Sequence, residues 1–315
     1  MPNDQPSDTH PGSSATVGRL APLSLRNLAA MLLLAVLWGL SIPVTKLGLQ
    51  TTDPMTLTVL RFVVAVPLLF APTAGTRPPP WRAVPRVAAL GALGIGVGQA
   101  AQAYGVAGTS ATAGTVVSAT TPVLVVVFAA LRLRQPASGR QGLGLLAAFA
   151  GVALVALGDG GGTADAPGSS ALGVALMLVS AVAVAFYYVW SVELAEAHGT
   201  PALAAWSTLY GLLALLPAWA WEARRAPPSL ALGSAAAALY LGVAVAVAGL
   251  YLWLHLLRAV PARAAASVQY LQPVVGVAAA AALFGDPLGA PFALGTLLVL
   301  GGMALTMAPA RGAGR

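Results

Sequence analysis

Apolar runs long enough to cross a bilayer follow one another along almost the whole of this chain, and that succession leaves few folds open. A membrane-spanning helix needs about 20 predominantly apolar residues. Ten such spans are expected, at roughly 28–49, 54–72, 86–106, 110–131, 140–157, 171–194, 201–221, 235–257, 262–284 and 287–307. Only 8% of the residues are charged and 58% are hydrophobic, whereas a soluble chain carries about 25% charged residues. So few charges cannot cover a water-facing surface. Runs of this length read as spanning helices, since backbone polar groups in lipid must be satisfied internally. The expected fold is therefore an all-α polytopic membrane protein.

Proline-bearing turns separate the spans, among them Asp53-Pro54, Pro78-Pro79-Pro80, Gln135-Pro136, Thr200-Pro201 and Asp286-Pro287. Proline at a helix start or in a loop costs least, because its missing N–H has no partner there anyway. Residues 1–27 read as a disordered cytoplasmic tail, 158–170 as a linker of Gly, Asp, Pro and Ser, and 308–315 as a second cytoplasmic tail. Asp4 and Asp8 stand where a secretory signal would be basic, so the first span is expected to remain as an anchor. The net charge of +7 is spread over short loops rather than gathered on one face, and no nucleic-acid partner is expected. With the N-terminus inside, 12 arginines lie in cytoplasmic segments and 2, Arg224 and Arg225, lie outside. The positive-inside rule then predicts that both termini are cytoplasmic. The abundance of Ala, Gly and Arg points to a bacterial source, hence to an inner (plasma) membrane. Cysteine is absent, which removes disulfides, thiolate metal ligands and a cysteine nucleophile.

An internal repeat sharpens the architecture. An offset of 151 superposes Gly91 on Gly242, Gly98 on Gly249, Pro122 on Pro273, Gln135 on Asp286, Gly144 on Gly295 and Gly151 on Gly302. The halves are expected at 28–157 (helices 1–5) and 171–307 (helices 6–10). Five is odd, so the copies cross the bilayer in opposite directions: ten transmembrane helices as two inverted five-helix repeats. Such repeats place a substrate site at their interface near the midplane and let one half rock against the other.

The halves also resemble the EamA domain of the drug/metabolite transporter superfamily. In the first half the likeness rests on Trp38-Gly39-Leu40-Ser41 with Lys46, on Leu60-Arg61-Phe62, and on Thr109-Ser110-Ala111 leading to Pro122. In the second it rests on Ala259-Val260-Pro261-Ala262 leading to Gln272-Pro273, on Phe284-Gly285-Asp286, and on Gly295 through Gly302. The resemblance covers roughly residues 28–307 and implies ten helices and export or exchange of small metabolites, often amino acids. The chain departs from the family at two places: Gln135 replaces a glutamate that Asp286 conserves in charge, and Gln272 stands where glutamate often precedes the proline.

Polar side chains inside the spans mark the candidate binding site, because an unpaired amide in hydrocarbon is costly. Gln269 and Gln272 share a face of the ninth helix, and at 1.5 Å per residue they lie roughly 10 and 16 Å from its cytoplasmic end. Their counterparts at the 151 offset, Ser118 and Thr121, are polar too. Gln99 and Gln102 give the third helix a polar face, and Trp38 lies too deep for an interfacial belt. Tyr251 and His255 share a face of the eighth helix. Tyr251 is expected to contact substrate, and His255, able to titrate near neutral pH, is the candidate for proton coupling. Arg61 sits about 7 residues inside the second helix, where an unpaired arginine is expensive. It reads either as a clamp for a substrate carboxylate or as a structural residue reaching the outer surface. Lys46 is expected to snorkel to that surface, and Asp286 to cap the turn before helix ten.

Enzyme chemistry finds no foothold. The chain has no His-Glu-x-x-His and no Gly-x-Ser-x-Gly, and Gly160-Gly161-Gly162 lacks the Gly-Lys-Ser/Thr of a phosphate loop. No catalytic residue, cofactor or metal is expected. The sequence points to a secondary transporter exporting a small polar metabolite, with an amino acid or derivative the leading class. An organic-anion or drug transporter of the same fold and a non-transporting membrane sensor or scaffold are the alternatives.

Overall fold

The computed structural model describes residues 24–73, 78–132, 139–158, 169–260, 268–286 and 288–307. Most of both tails and of the 158–170 linker, the turn at Gln135-Pro136, Pro261 to Ser267 and Pro287 lie outside the described residues.

Among the described residues every regular element is helical. Eight helices are long and apolar enough to cross a membrane: α1 (Leu25–Gly48), α2 (Pro54–Thr73), α3 (Val84–Ala107), α4 (Ala111–Arg132), α5 (Gly139–Ala156), α6 (Ala171–Trp190), α7 (Thr200–Arg225) and α8 (Leu232–Ala259). Two shorter apolar helices follow, α9 (Val268–Phe284) and α10 (Ala290–Thr306). Of the ten spans expected, eight are helices long enough to cross a membrane, and the last two correspond to shorter apolar helices among the described residues. The first residues assigned to the ninth span are not described, and α10 begins three residues later than the sequence suggests. Large apolar side chains point outward, with Leu146 69% and Leu297 67% exposed. Such an outer face belongs against lipid, and the chain is a multi-pass membrane protein.

Helix starts follow side-chain caps. Asp53 accepts from the Thr56 N–H at 2.8 Å ahead of Pro54, and Ser110 and Ser170 accept from Ala113 and Gly173 in the same way. Each satisfies one orphan backbone donor. Two helices break internally: α1 at Leu40, between Leu25–Gly39 and Ser41–Gly48, and α4 between Ala111–Ser118 and Thr121–Arg132. In both, the helix before the break ends four residues ahead of a proline, Pro43 and Pro122, whose rings clash with the carbonyls of Gly39 and Ser118. Pro273, the counterpart of Pro122, lies inside an unbroken α9. α6 stops at Trp190, short of its expected end, and a separate short helix, Val192–His198, carries Glu193 and Glu196. α7 runs a turn beyond its expected end, which brings the Glu222 carboxylate to 2.8 Å from the Tyr104 hydroxyl that donates to it.

The contacts between halves are reciprocal. An added Cβ at Gly91 would come within 2.2 Å of the Ser207 carbonyl oxygen on α7, and at Gly242 within 2.8 Å of the Arg61 carbonyl oxygen on α2. Gly98 faces Ala183 on α6, while Gly249 faces Trp38 on α1. Each third helix therefore seats against the first two helices of the other half. α5 and α10 close the same pattern: Gly144 packs on Gly302 and Gly151 on Gly295, so the two helices run antiparallel with their backbones in contact. Both third helices carry a π-helical segment, Gly91–Val97 and Tyr240–Ala248, that returns to α-helix at Gly98 and Gly249. Wide turns of this kind are rare and are often found at functional sites.

Candidate functional site

A cavity of about 580 Å³ opens between α1, α2, α3, α4, α6, α8 and α9, within the range of small-molecule sites. The structure brings eight of the nine expected contact residues to its wall: Trp38, Arg61, Gln99, Gln102, Ser118, Thr121, Gln269 and Gln272. The helix breaks position part of this set. Ser118 and Thr121 flank the interruption ahead of Pro122, and Ser41, also on the wall, follows the interruption ahead of Pro43.

Arg61 does not reach an outer surface. It is 8% exposed, lines the cavity, and donates from Nη1 to the Gln99 side-chain oxygen at 2.7 Å. Among the described residues its Nε has no hydrogen-bond partner and no carboxylate pairs with it. The amides of Gln102, Gln269 and Gln272 likewise have no protein partner among the described residues. Ser118 differs, because its hydroxyl donates to the Thr115 carbonyl at 2.8 Å and keeps only lone pairs for the cavity. Trp38 is held in place from behind. Its indole N–H donates to the Val245 carbonyl at 3.2 Å, and the absence of a side chain at Gly249 makes room for the ring.

Tyr251 and His255 lie off the cavity wall, which correlates with a different face of α8. Trp253 and Leu257 are the wall residues there. They are one turn apart and two residues on from Tyr251 and His255, which places the expected pair about 200° away around an α-helix. The Tyr251 hydroxyl is buried without a partner among the described residues. The π-helical segment just before Gly249 adds residues per turn and shifts the phase of all that follows, which no fixed helical period anticipates. Trp253 packs against Trp38 with ring centroids 5.8 Å apart. Sequence reasoning also passed over Thr115, Ser180 and Tyr188 on the wall; hydroxyl residues are too common in spanning helices to single these out.

Beyond the wall residues Ser41 and Thr115, along α1 and toward the start of α4, lies a polar corner. Lys46 does not snorkel outward: its Nζ donates to the carbonyls of Val106 at 2.9 Å, Ala107 at 3.4 Å and Thr109 at 2.6 Å, where α3 ends. Asp286 does not cap α10. Gly285 ends α9 with a left-handed backbone (φ 67°), and the next carboxylate accepts from the backbone N–H of Thr112 at 3.0 Å and its hydroxyl at 2.9 Å. A cation thus sits at the C-terminus of α3 and an anion at the N-terminus of α4, each opposing a helix dipole. Ser170 completes the corner, donating to the Gly108 carbonyl from both its backbone N–H and its hydroxyl.

The model of the EamA-like transporter family matches this chain twice, over residues 26–157 and 171–308. The chain belongs to the EamA-like transporter family. As a family member it is a transporter and not an enzyme. It is 25% identical over 280 residues to an uncharacterized transporter of Archaeoglobus fulgidus, covering 89% of this chain and 98% of that one. It is 27% identical over 261 residues to a Streptantibioticus cattleyicolor protein named "Probable terminal-alkyne amino-acid exporter", covering 82% of this chain and 85% of that one. A solved crystal structure that is 20% identical aligns over 90% of this chain and 96% of its own with a TM-score of 0.59, a likeness of fold. The transporter thus shares its arrangement of helices with proteins far from it in sequence.

Proposed function

We propose that this transporter exports a small metabolite bearing a carboxylate, with an amino acid or derivative the leading class, across a bacterial inner membrane. The observation that carries the proposal is Arg61: a buried cation on the cavity wall that no described carboxylate neutralises. A substrate carboxylate would complete it, with Gln99 holding the guanidinium and Gln102, Gln269 and Gln272 offering free amides to the polar groups beside it. Trp38 and Trp253 would pack against the apolar part. The name of the Streptantibioticus relative supports an amino acid.

The reciprocal seating of α3 and α8 supports movement by alternating access between two inverted repeats, residues 28–157 and 171–307, joined by the 158–170 linker. With both termini cytoplasmic, the Lys46–Asp286 corner is on the outer side. The cavity wall reaches Leu257 and Gln269 where α8 finishes and α9 begins, the end that is cytoplasmic in this orientation. Proton coupling through His255 is not part of the proposal, since that ring is off the wall.

A second reading rests on the same wall. Among the described lining residues none is acidic, so the ammonium group of an amino acid would meet only amide and hydroxyl oxygens and aromatic faces. An organic anion without an ammonium group would suit that wall as well. Purified protein in liposomes, loaded with pooled radiolabelled amino acids and, separately, with their deaminated 2-keto and 2-hydroxy counterparts, tests both readings. Saturable efflux of amino acids is expected. Efflux confined to the deaminated acids would move the assignment to organic anions, and no saturable flux of either would end it.

A further inference from the structure

Away from the central cavity, three arginines gather on one side of the bundle with a single acid among them. Arg82 and Arg86, at the N-terminal end of α3, face Arg132 at the C-terminal end of α4 across a cleft of about 780 Å³. Phe186 and Trp190 of α6 form its aromatic wall, stacked with centroids 4.8 Å apart, and the Arg132 guanidinium lies 5.4 Å over the Trp190 ring. Glu193 pairs with Arg132. Arg82 and Arg86 form no hydrogen bond or ion pair among the described residues, and Arg82 lies over the Trp81 ring at 5.3 Å. Among the described lining residues three charges are positive and one is negative, a net charge of +2 before any ligand enters.

The surroundings say which kind of anion fits. Trp81, 77% exposed next to Arg82, has the position of an interfacial anchor. Leu93 lies one turn along α3 from Ala89 of the cleft wall, and Leu131 adjoins Arg132; both are exposed apolar side chains on the lipid-facing surface. The basic groups therefore stand where polar headgroups begin, and apolar surface continues from them toward the membrane interior. Basic pockets between helix ends on the cytoplasmic side suit phosphate headgroups of anionic lipids.

We propose that the Arg82–Arg86–Arg132 cleft seats the phosphate headgroup of an anionic phospholipid, with its acyl chains along Leu93 and Leu131. Arg82 and Arg86 supply the free charge, and Arg132 is shared between the phosphate and Glu193. Because the same α4 and α6 that border this cleft also line the transport cavity, the bound lipid would brace two helices that the transport cycle must move.

The test uses the full-length protein in mild detergent, delipidated and then offered dioleoyl-phosphatidylglycerol or dioleoyl-phosphatidylcholine in equal amounts, with retained lipid counted by native mass spectrometry. Phosphatidylglycerol is expected to be preferred, and Arg82→Gln/Arg86→Gln to weaken its retention by about thirtyfold, at about fivefold for each arginine at a membrane surface. Arg82→Lys/Arg86→Lys should keep most of the preference, and Glu193→Gln should increase it by freeing Arg132. Arg224→Gln/Arg225→Gln, at the other end of the bundle, should leave it unchanged. Because Arg82 and Arg86 are exposed and unpaired, loss of fold is not the expected cause of any decrease, and gel filtration of each variant checks this. Equal retention of the two lipids, or a preference unchanged in Arg82→Gln/Arg86→Gln, overturns the proposal. Complete displacement of the lipid by millimolar inorganic phosphate also overturns it, since the cleft would then be a site for a soluble anion.

Discussion

The corner between α3 and α4 and the wall of the central cavity are both rich in polar groups, yet they treat them in opposite ways. At the corner every such group has a protein partner: Lys46 holds three carbonyls, Asp286 holds Thr112, and Ser170 holds Gly108. On the wall the amides of Gln102, Gln269 and Gln272 have none among the described residues, and Arg61 has only Gln99. A satisfied buried polar group stabilises the fold, whereas an unsatisfied one destabilises it and is retained where something else completes it. The corner is therefore structure, and the wall is where the proposed substrate would find its partners.

The sharpest way to break this comparison is Arg61→Ala. Loss of a charge-assisted hydrogen bond to a substrate carboxylate should cut efflux from liposomes by about thirtyfold, while thermal unfolding in detergent should not fall and should rise if relief of the buried cation outweighs lost packing. A marked loss of thermal stability with normal efflux would make Arg61 a structural residue like Lys46. Lys46→Met should do the reverse, destabilising the protein by about 2 kcal/mol because it leaves three carbonyls unpaired at a helix end. Binding of substrate by the solubilised protein should be unchanged. Gln272→Ala should weaken substrate affinity by about tenfold, the value of one neutral hydrogen bond in a dry site, and leave stability intact; unaltered affinity would remove Gln272 from the site. The smallest effect is expected for Asp286→Asn, which keeps an acceptor for Thr112 but removes the charge opposing the α4 dipole. Its cost should be about 1 kcal/mol in thermal unfolding.

Much of the site could be read in the sequence because a polar residue in a spanning helix has few places to go. Gln99, Gln102, Gln269 and Gln272 are conspicuous against apolar neighbours, and the 151 offset ties the last two to Ser118 and Thr121. The glycines at 144, 151, 295 and 302 were visible as repeat positions, but that they pack on one another could not be seen. Reach defeated the reading of the charged residues. Lys46 and Asp286 are each near a helix end, where local rules assign them to the nearest water or the nearest cap. Their actual partners lie 60 or more positions along the chain, at Val106 for one and Thr112 for the other. Phase defeated the reading of α8, where Trp253 and Leu257 stand on the wall and Tyr251 and His255 do not.

By itself, the sequence determined the succession of long apolar helices, the duplicated glycines and prolines, and the polar residues that stand out within those helices. These follow from local composition and period, since the cost of a polar group in hydrocarbon is the same wherever the chain folds. Only the tertiary structure decided which of those polar groups would be satisfied. That depends on which helix ends and carbonyls meet in space, within one half for Lys46 and across the two halves for Asp286, and so separated these two, held in a corner, from Arg61 and the glutamines on the cavity wall.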